Sequence, residues 1–170
     1  NNNPNRIHTI GYNADNIPIA LVIAPETGLQ VQQMDGTIIK SLGPIEQSLS
    51  GASFSPDGTK IVMGNGGKIR IHSLDQSATQ EITQIGAAYD FKFSPEGDKL
   101  LVNTGGRFHV WDISNLSTQS FGPSGSIESA SFSTDSQTIS TVLYEKDNLF
   151  HRLAGTDIHS RKQRRKGTPD

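Results

Sequence analysis

A short phrase recurs three times in this chain at a constant spacing of 39 residues, and it constrains the fold more than any other feature. The three copies begin at Phe54, Phe93 and Phe132 and read FSPDG, FSPEG and FSTDS. A fixed period of about 40 residues with strand-like content is typical of proteins built from repeated units. Repeat proteins usually act as binding platforms, so we expect binding rather than catalysis.

Each repeated unit is predicted to contain four short strands joined by tight turns. In the clearest unit, Pro56-Asp57-Gly58 has turn chemistry, because proline presets φ, aspartate caps the turn and glycine accepts a positive φ. Residues 68–74 alternate apolar and polar side chains, which predicts a strand with one buried face. The third unit repeats this pattern closely, the fourth less closely, and the first keeps only its rhythm.

The predicted fold is all-β, a β-propeller of about four four-stranded antiparallel blades. A β-sandwich is the competing architecture, but it gives no reason for a constant interval. The blades are predicted at about 6–47, 48–86, 87–125 and 126–155, after a disordered lead-in at 1–5 and before a basic, flexible tail at 156–170. Because four blades are few for a propeller, three arrangements stay open: a closed ring of four, self-association into a larger ring, and an incomplete propeller in a segment of a longer chain, which the sequence favours.

The FSPDG phrase, the glycine-rich turn and the alternating strand that follow it, and the dipeptide Trp111-Asp112 together resemble the WD-repeat β-propeller family over residues 48–155. The family's Gly-His dipeptide is missing from every unit, so the blades are divergent and the family's buried His–Ser–Trp–Asp network is not expected. The resemblance implies a non-catalytic scaffold or sensor that docks a protein or peptide partner through loop rims, with no cofactor. The repeat-structural residues are Phe54, Gly58, Phe93, Gly97, Trp111, Asp112 and Phe132.

Three cations occupy one repeat position, directly after the turns between second and third strands. Lys68, Arg107 and Lys146 are 39 residues apart, and we refer to them as the basic rim. Together they predict a docking rim for an acidic peptide, a phosphate or a nucleic-acid backbone. The competing explanation is that exposed turn charges need no partner.

The net charge of −2 excludes a strong overall attraction to nucleic acid or membranes, but the basic residues are unevenly distributed. Five of them lie near the end of the chain: Arg161, Lys162, Arg164, Arg165 and Lys166. This cluster predicts an alternative function, contact with nucleic-acid phosphates through the tail, while a plain linker explains it equally well.

The remaining composition argues against other classes of protein. The chain has no cysteine and no apolar run long enough to span a membrane, so we expect a cytoplasmic location, with a removed signal peptide left open. Asp57, Glu96 and Asp135 recur at one turn position and are interpreted as turn caps. The histidines His72, His109 and His151 share no repeat position, so no metal site is predicted. Since no catalytic motif occurs either, the chain is predicted not to be an enzyme.

Overall fold

A computed structural model describes most of the chain, namely residues 5–44, 49–65, 67–76, 78–83, 88, 90–104, 107–121, 127–143, 148–154 and 157–163. Within these residues the secondary structure consists of β-strands and turns, and no helix could cross a membrane. The strands are β1 (Arg6–Tyr12), β2 (Pro18–Ala24), β3 (Gly28–Gln33), β4 (Ile38–Gly43), β5 (Leu49–Phe54), β6 (Lys60–Asn65), β7 (Lys68–Ser73), β8 (Thr79–Thr83), β9 (Asp90–Phe93), β10 (Lys99–Asn103), β11 (Phe108–Asp112), β12 (Thr118–Phe121), β13 (Ile127–Phe132), β14 (Thr138–Leu143), β15 (Asn148–Ala154) and β16 (Asp157–Gln163).

These strands form four antiparallel sheets, and each sheet takes four strands that are consecutive in the chain. Sheet one is β1–β4, sheet two β5–β8, sheet three β9–β12 and sheet four β13–β16. The first strands of sheets two, three and four end at Phe54, Phe93 and Phe132. The all-β fold and the four-stranded units are therefore confirmed, and the 39-residue period is the period of the sheets.

The recurring phrase forms the turn between the first and second strands of a sheet. Ser55 Oγ accepts a hydrogen bond from Lys60 N at 2.9 Å and donates one to Asp57 Oδ1 at 2.5 Å. Ser94 and Ser133 accept the equivalent bond, each from the backbone N–H five residues further on. The repeated serine therefore joins the two sides of its turn through its side chain.

One position in this turn requires a positive φ. Gly58 and Gly97 have φ values of 66° and 72°, in the left-handed region that glycine enters without steric cost. Ser136 takes the same place in sheet four with φ of 56°. The glycine preference seen in the sequence thus has a backbone cause, and the fourth unit departs from it.

Neighbouring sheets pack face to face through apolar side chains. Successive residues of a strand point to opposite faces, so Ile61 packs with sheet one while Val62 packs with sheet three. Leu100 packs with sheet two, and Leu101 packs with sheet four. Sheets two and three are therefore buried on both faces, which explains why their second strands are continuous apolar runs.

The first strands of adjacent sheets lie beside one another. β5 contacts both β1 and β9, and Lys92 of β9 donates through Nζ to the carbonyl oxygen of Ala130 in β13 at 2.9 Å. A Cβ atom at Gly11 would lie 2.6 Å from Phe54 Cδ2, and one at Gly64 would lie 2.6 Å from Phe91 Cζ. Aromatic rings of sheets two and three therefore pack directly on glycines of the preceding sheet.

The fourth sheet corrects the predicted boundary at residue 155. β16 lies inside the segment predicted to be a flexible tail, and it pairs along its length with β15, from Asn148 opposite Gln163 to Ala154 opposite Asp157. The charged sequence gives no sign of a strand here. An edge strand tolerates polar side chains because it is held by backbone pairing. Residues 164–170 of the predicted tail and residues 1–4 of the predicted lead-in lie outside the described residues.

Candidate functional site

Lys68 and Arg107 of the basic rim lie at equivalent positions of sheets two and three, and Lys68 is paired. Lys68 begins β7, and its Nζ lies 3.0 Å from Glu81 Oε1. Arg70 Nε lies 3.0 Å from the other carboxylate oxygen of Glu81. Hydrogen bonds from Arg70 and then Lys68 hold the pKa of Glu81 below its ordinary range. The charge of Lys68 is therefore shared with a carboxylate of its own sheet.

The other two members of the basic rim differ in what the structure shows. Arg107 is exposed directly before β11, at the position in sheet three that Lys68 holds in sheet two. Burial lowers the pKa of His109, and the positive charge of Arg107 lowers it further. Lys146 lies outside the described residues. The predicted docking role of the rim stays a prediction.

The basic cluster near the end of the chain is divided by the structure. Arg161 and Lys162 lie in β16, where they pair through the backbone with Phe150 and Leu149. The other three members, Arg164, Arg165 and Lys166, lie outside the described residues. The peptide that carries the cluster is thus a sheet strand for part of its length.

The turn carboxylates bond within their own turns. Partial burial alone would raise the pKa of Asp57, but hydrogen bonds from Ser55 and Thr59 and the charge of Lys60 outweigh it and lower the pKa to about 2. Ser133 donates in the same way to Asp135 at 2.5 Å. In sheet three the serine hydroxyl bonds Asp98 instead of Glu96, at 2.7 Å. Among the described residues, no three His, Asp or Glu side chains are placed to hold a metal ion.

The Trp111-Asp112 dipeptide, predicted to be repeat-structural, lies at the end of β11. Trp111 is buried between sheets two and three, and its Nε1 has no hydrogen-bond partner within the described part of the chain. Asp112 accepts hydrogen bonds from Ser114 N at 2.9 Å and from Ser114 Oγ at 2.5 Å. The tryptophan therefore acts in packing, and the aspartate caps the turn that follows its strand.

One open pocket brings the same repeat positions of three sheets together. It has a volume of about 370 Å³ and lies at the end of the sheets that carries the recurring turns, which we call the turn end. We call it the first-strand pocket, and its lining residues are Ser53, Phe54, Pro56, Lys92, Phe93, Pro95, Ser131 and Phe132. The three repeat phenylalanines thus meet at one surface.

The first-strand pocket combines fixed apolar walls with one cation. Phe54, Phe93 and Phe132 are partly buried and each packs against a different core cluster, so the walls are anchored. Lys92 is 43% exposed, and its Nζ lies 3.6 Å from Asp90 Oδ2. Such a surface can receive an apolar group and offer an ammonium donor beside it.

The sequence carries a signal for this pocket, but the signal identifies its phenylalanines only as repeat-structural residues. Ser53, Lys92 and Ser131 precede the three phenylalanines and therefore share the same 39-residue period. The spacing does not show that three first strands adjoin, and that contact is what creates the pocket. Lys68 and Arg107, which the sequence favours as binding cations, lie at the opposite end of their sheets.

Comparison with known proteins adds no family to this description. No protein-family model matches the chain, and no curated protein matches it.

Proposed function

We propose that the four sheets are blades of a β-propeller and that the chain is a non-catalytic protein-interaction module of WD-repeat type. The observation that carries this proposal is the convergence of Phe54, Phe93 and Phe132, from three sheets, on one pocket. Equivalent residues meet in this way when equivalent sheets are arranged around a common axis. Face-to-face packing of successive sheets and the adjacency of their first strands support the same arrangement.

We expect a partner to dock on the ends of the sheets, because in such a fold the polar groups available for binding lie there. Strand residues are committed to packing between blades, so variation in polar groups is concentrated in turns and in first-strand edges. In this chain those ends offer Lys68 and Arg107 of the basic rim on one side and the first-strand pocket on the other. A rigid, repeated scaffold with two such surfaces suits the capture of an intracellular protein or peptide.

The face of sheet one that points away from sheet two supports association with a further sheet. Ile10, Ala20, Gln32 and Ile38 are cross-strand partners in one row of this face. Ile10 is 57% exposed and Ile38 is 53% exposed. The opposite face of the same sheet is buried against sheet two. We therefore include completion of the propeller, by self-association or by further blades, in the proposal.

A selection from a displayed library of random peptides tests the docking function. We expect the folded chain to enrich peptides that the urea-unfolded chain does not retain. Replacing Lys68, Arg107 and Lys146 together by Glu reports whether the basic rim contributes, since acidic peptides would then be lost. Failure of the folded chain to enrich any peptide above the unfolded control contradicts the proposed function.

A further inference from the structure

The shape of the first-strand pocket favours a protruding group of a macromolecule. Sites for small molecules enclose most of their ligand and have volumes of about 300–1,000 Å³. This pocket lies at the lower end of that range, with a volume of about 370 Å³, and it opens to solvent at the turn end. A side chain presented by a partner's backbone fits such an opening, because the rest of the partner covers the mouth.

The walls of the pocket are apolar and held in place before any ligand arrives. Pro56 and Pro95 stand beside the three phenylalanines, and both prolines belong to the recurring turns. A Cβ atom at Gly97 would lie 3.8 Å from Pro56 Cδ, so the turns of sheets two and three are close neighbours. Preorganised aromatic walls lower the entropy cost of binding, which favours an apolar side chain as the inserted group.

The charge of the pocket selects an anion beside that apolar side chain. Lys92 is the single charged side chain among the described residues that line it. Its ammonium donates one hydrogen bond, to the Ala130 carbonyl oxygen at 2.9 Å, and an ammonium has three donors. Lys92 Nζ also forms an ion pair with Asp90 Oδ2 at 3.6 Å, beyond hydrogen-bond distance, and because both side chains are about half exposed, an incoming carboxylate can compete for the ammonium. Ser53 and Ser131, which hold the position of Lys92 in sheets two and four, also line the pocket.

We propose that the first-strand pocket binds a segment of a partner protein in which an apolar side chain stands next to an Asp or Glu. The apolar side chain enters between the phenylalanines, and the carboxylate accepts hydrogen bonds from Lys92. This site rests on the proposed interaction function and assigns it to the turn end, opposite the basic rim.

The test uses peptides enriched on the folded full chain, synthesised with a fluorescent label and measured by fluorescence polarisation. We expect the enriched sequences to share an apolar residue beside an Asp or Glu. Lys92→Glu is expected to weaken their binding by about tenfold or more, while Arg6→Glu, which changes an exposed cation at the start of β1, leaves it within about twofold. Lys92→Met is the second variant, because it keeps an apolar side chain and removes only the charge. Thermal unfolding of both Lys92 variants checks that each one still folds.

A charge exchange makes the assignment specific. A peptide in which Lys replaces the acidic residue is expected to bind the wild-type chain poorly and to regain affinity for the Lys92→Glu variant. Enriched peptides whose affinity is unchanged by Lys92→Glu would overturn the assignment to the pocket and leave the interaction function intact. Loss of their binding on Arg107→Glu would move the binding site to the basic rim. Binding of small carboxylic acids as tight as that of the peptides would replace the protein ligand by a small molecule. Enrichment of no peptide at all would contradict the function itself.

Discussion

The turn glycines Gly58 and Gly97 provide a sharp test of how the sheets pack, because they share a repeat position and differ in surroundings. Both have a positive φ, of 66° and 72°. A Cβ at Gly58 would lie 2.3 Å from the Asn13 carbonyl carbon and 2.5 Å from the Tyr12 carbonyl oxygen, both in the backbone where β1 enters the β1–β2 turn. A Cβ at Gly97 would meet nothing closer than Pro56 Cδ, at 3.8 Å.

The two Gly→Ala substitutions should therefore differ in cost. Each places a Cβ in the left-handed region, which costs about 1–2 kcal/mol, and each recovers about 0.4–1 kcal/mol by restricting the unfolded chain. Gly97→Ala should therefore lower the free energy of unfolding by about 1 kcal/mol. Gly58→Ala must also displace the backbone of the β1–β2 turn, and overpacking of this kind costs about 1–3 kcal/mol more.

Urea unfolding followed by Trp111 fluorescence measures the difference, since the chain has one tryptophan. With a urea dependence of about 2 kcal/mol per molar, the extra cost of about 2 kcal/mol at Gly58 lowers the midpoint by about 1 M relative to Gly97→Ala. Equal midpoints for the two variants would show that the turn of sheet two does not pack on the turn of sheet one, and the stacking of the turns would have to be abandoned.

Four further predictions concern other parts of the molecule. Ser136→Gly should raise the free energy of unfolding by about 1 kcal/mol. Ser136 is buried with φ of 56°, and its hydroxyl has no hydrogen-bond partner in the described part of the chain. A lower urea midpoint for this variant would contradict the prediction. Burial, then the charges of Lys40 and Arg70, lowers the pKa of His72 below 6.5, so the unfolded chain takes up this proton first as the pH falls. Stability should therefore be highest well above pH 6.5 and fall as the pH drops through that value, and His72→Gln should flatten the fall in urea titrations; an unchanged pH dependence would contradict this. If the basic cluster at 161–166 contacts nucleic acid, anisotropy of labelled single-stranded DNA should show log K falling with log salt by about 0.7 per phosphate, and salt-insensitive binding would remove that alternative. Ile10→Lys should reduce the self-association measured by analytical ultracentrifugation, whereas Ile17→Lys, in the turn between β1 and β2, serves as the exposed control.

The period and the turn chemistry were sufficient to predict the sheets. Phe-Ser-Pro-Asp-Gly encodes a turn through its proline, its capping acid and its glycine, and each of these acts within five residues, where sequence determines conformation directly. The alternation at 68–74 predicted β7 because one strand face repeats every second residue. These features are local, so they can be read without knowing the neighbours of a residue in space.

Features that depend on contacts between strands could not be predicted. Glu81 reaches Lys68 because the β7–β8 register sets it opposite Arg70 and diagonal to Lys68, and no sequence spacing specifies that register. β16 was missed because its side chains lack an apolar alternation. The first-strand pocket depends on which strands adjoin. The sequence shows that its residues recur at the same repeat positions, but it does not show that these positions meet in space.

The contacts of Phe54 with Gly11 and of Phe91 with Gly64 restrict how this chain can diverge. A methyl group at either glycine would overlap an aromatic ring, so a larger residue at position 64 is tolerated only together with a smaller one at position 91. Duplicated or shuffled units would lose this match wherever the preceding unit has a side chain in place of the glycine. These contacts thus restrict which unit can follow which along the chain, and substitutions at the two residues of each pair are expected to covary.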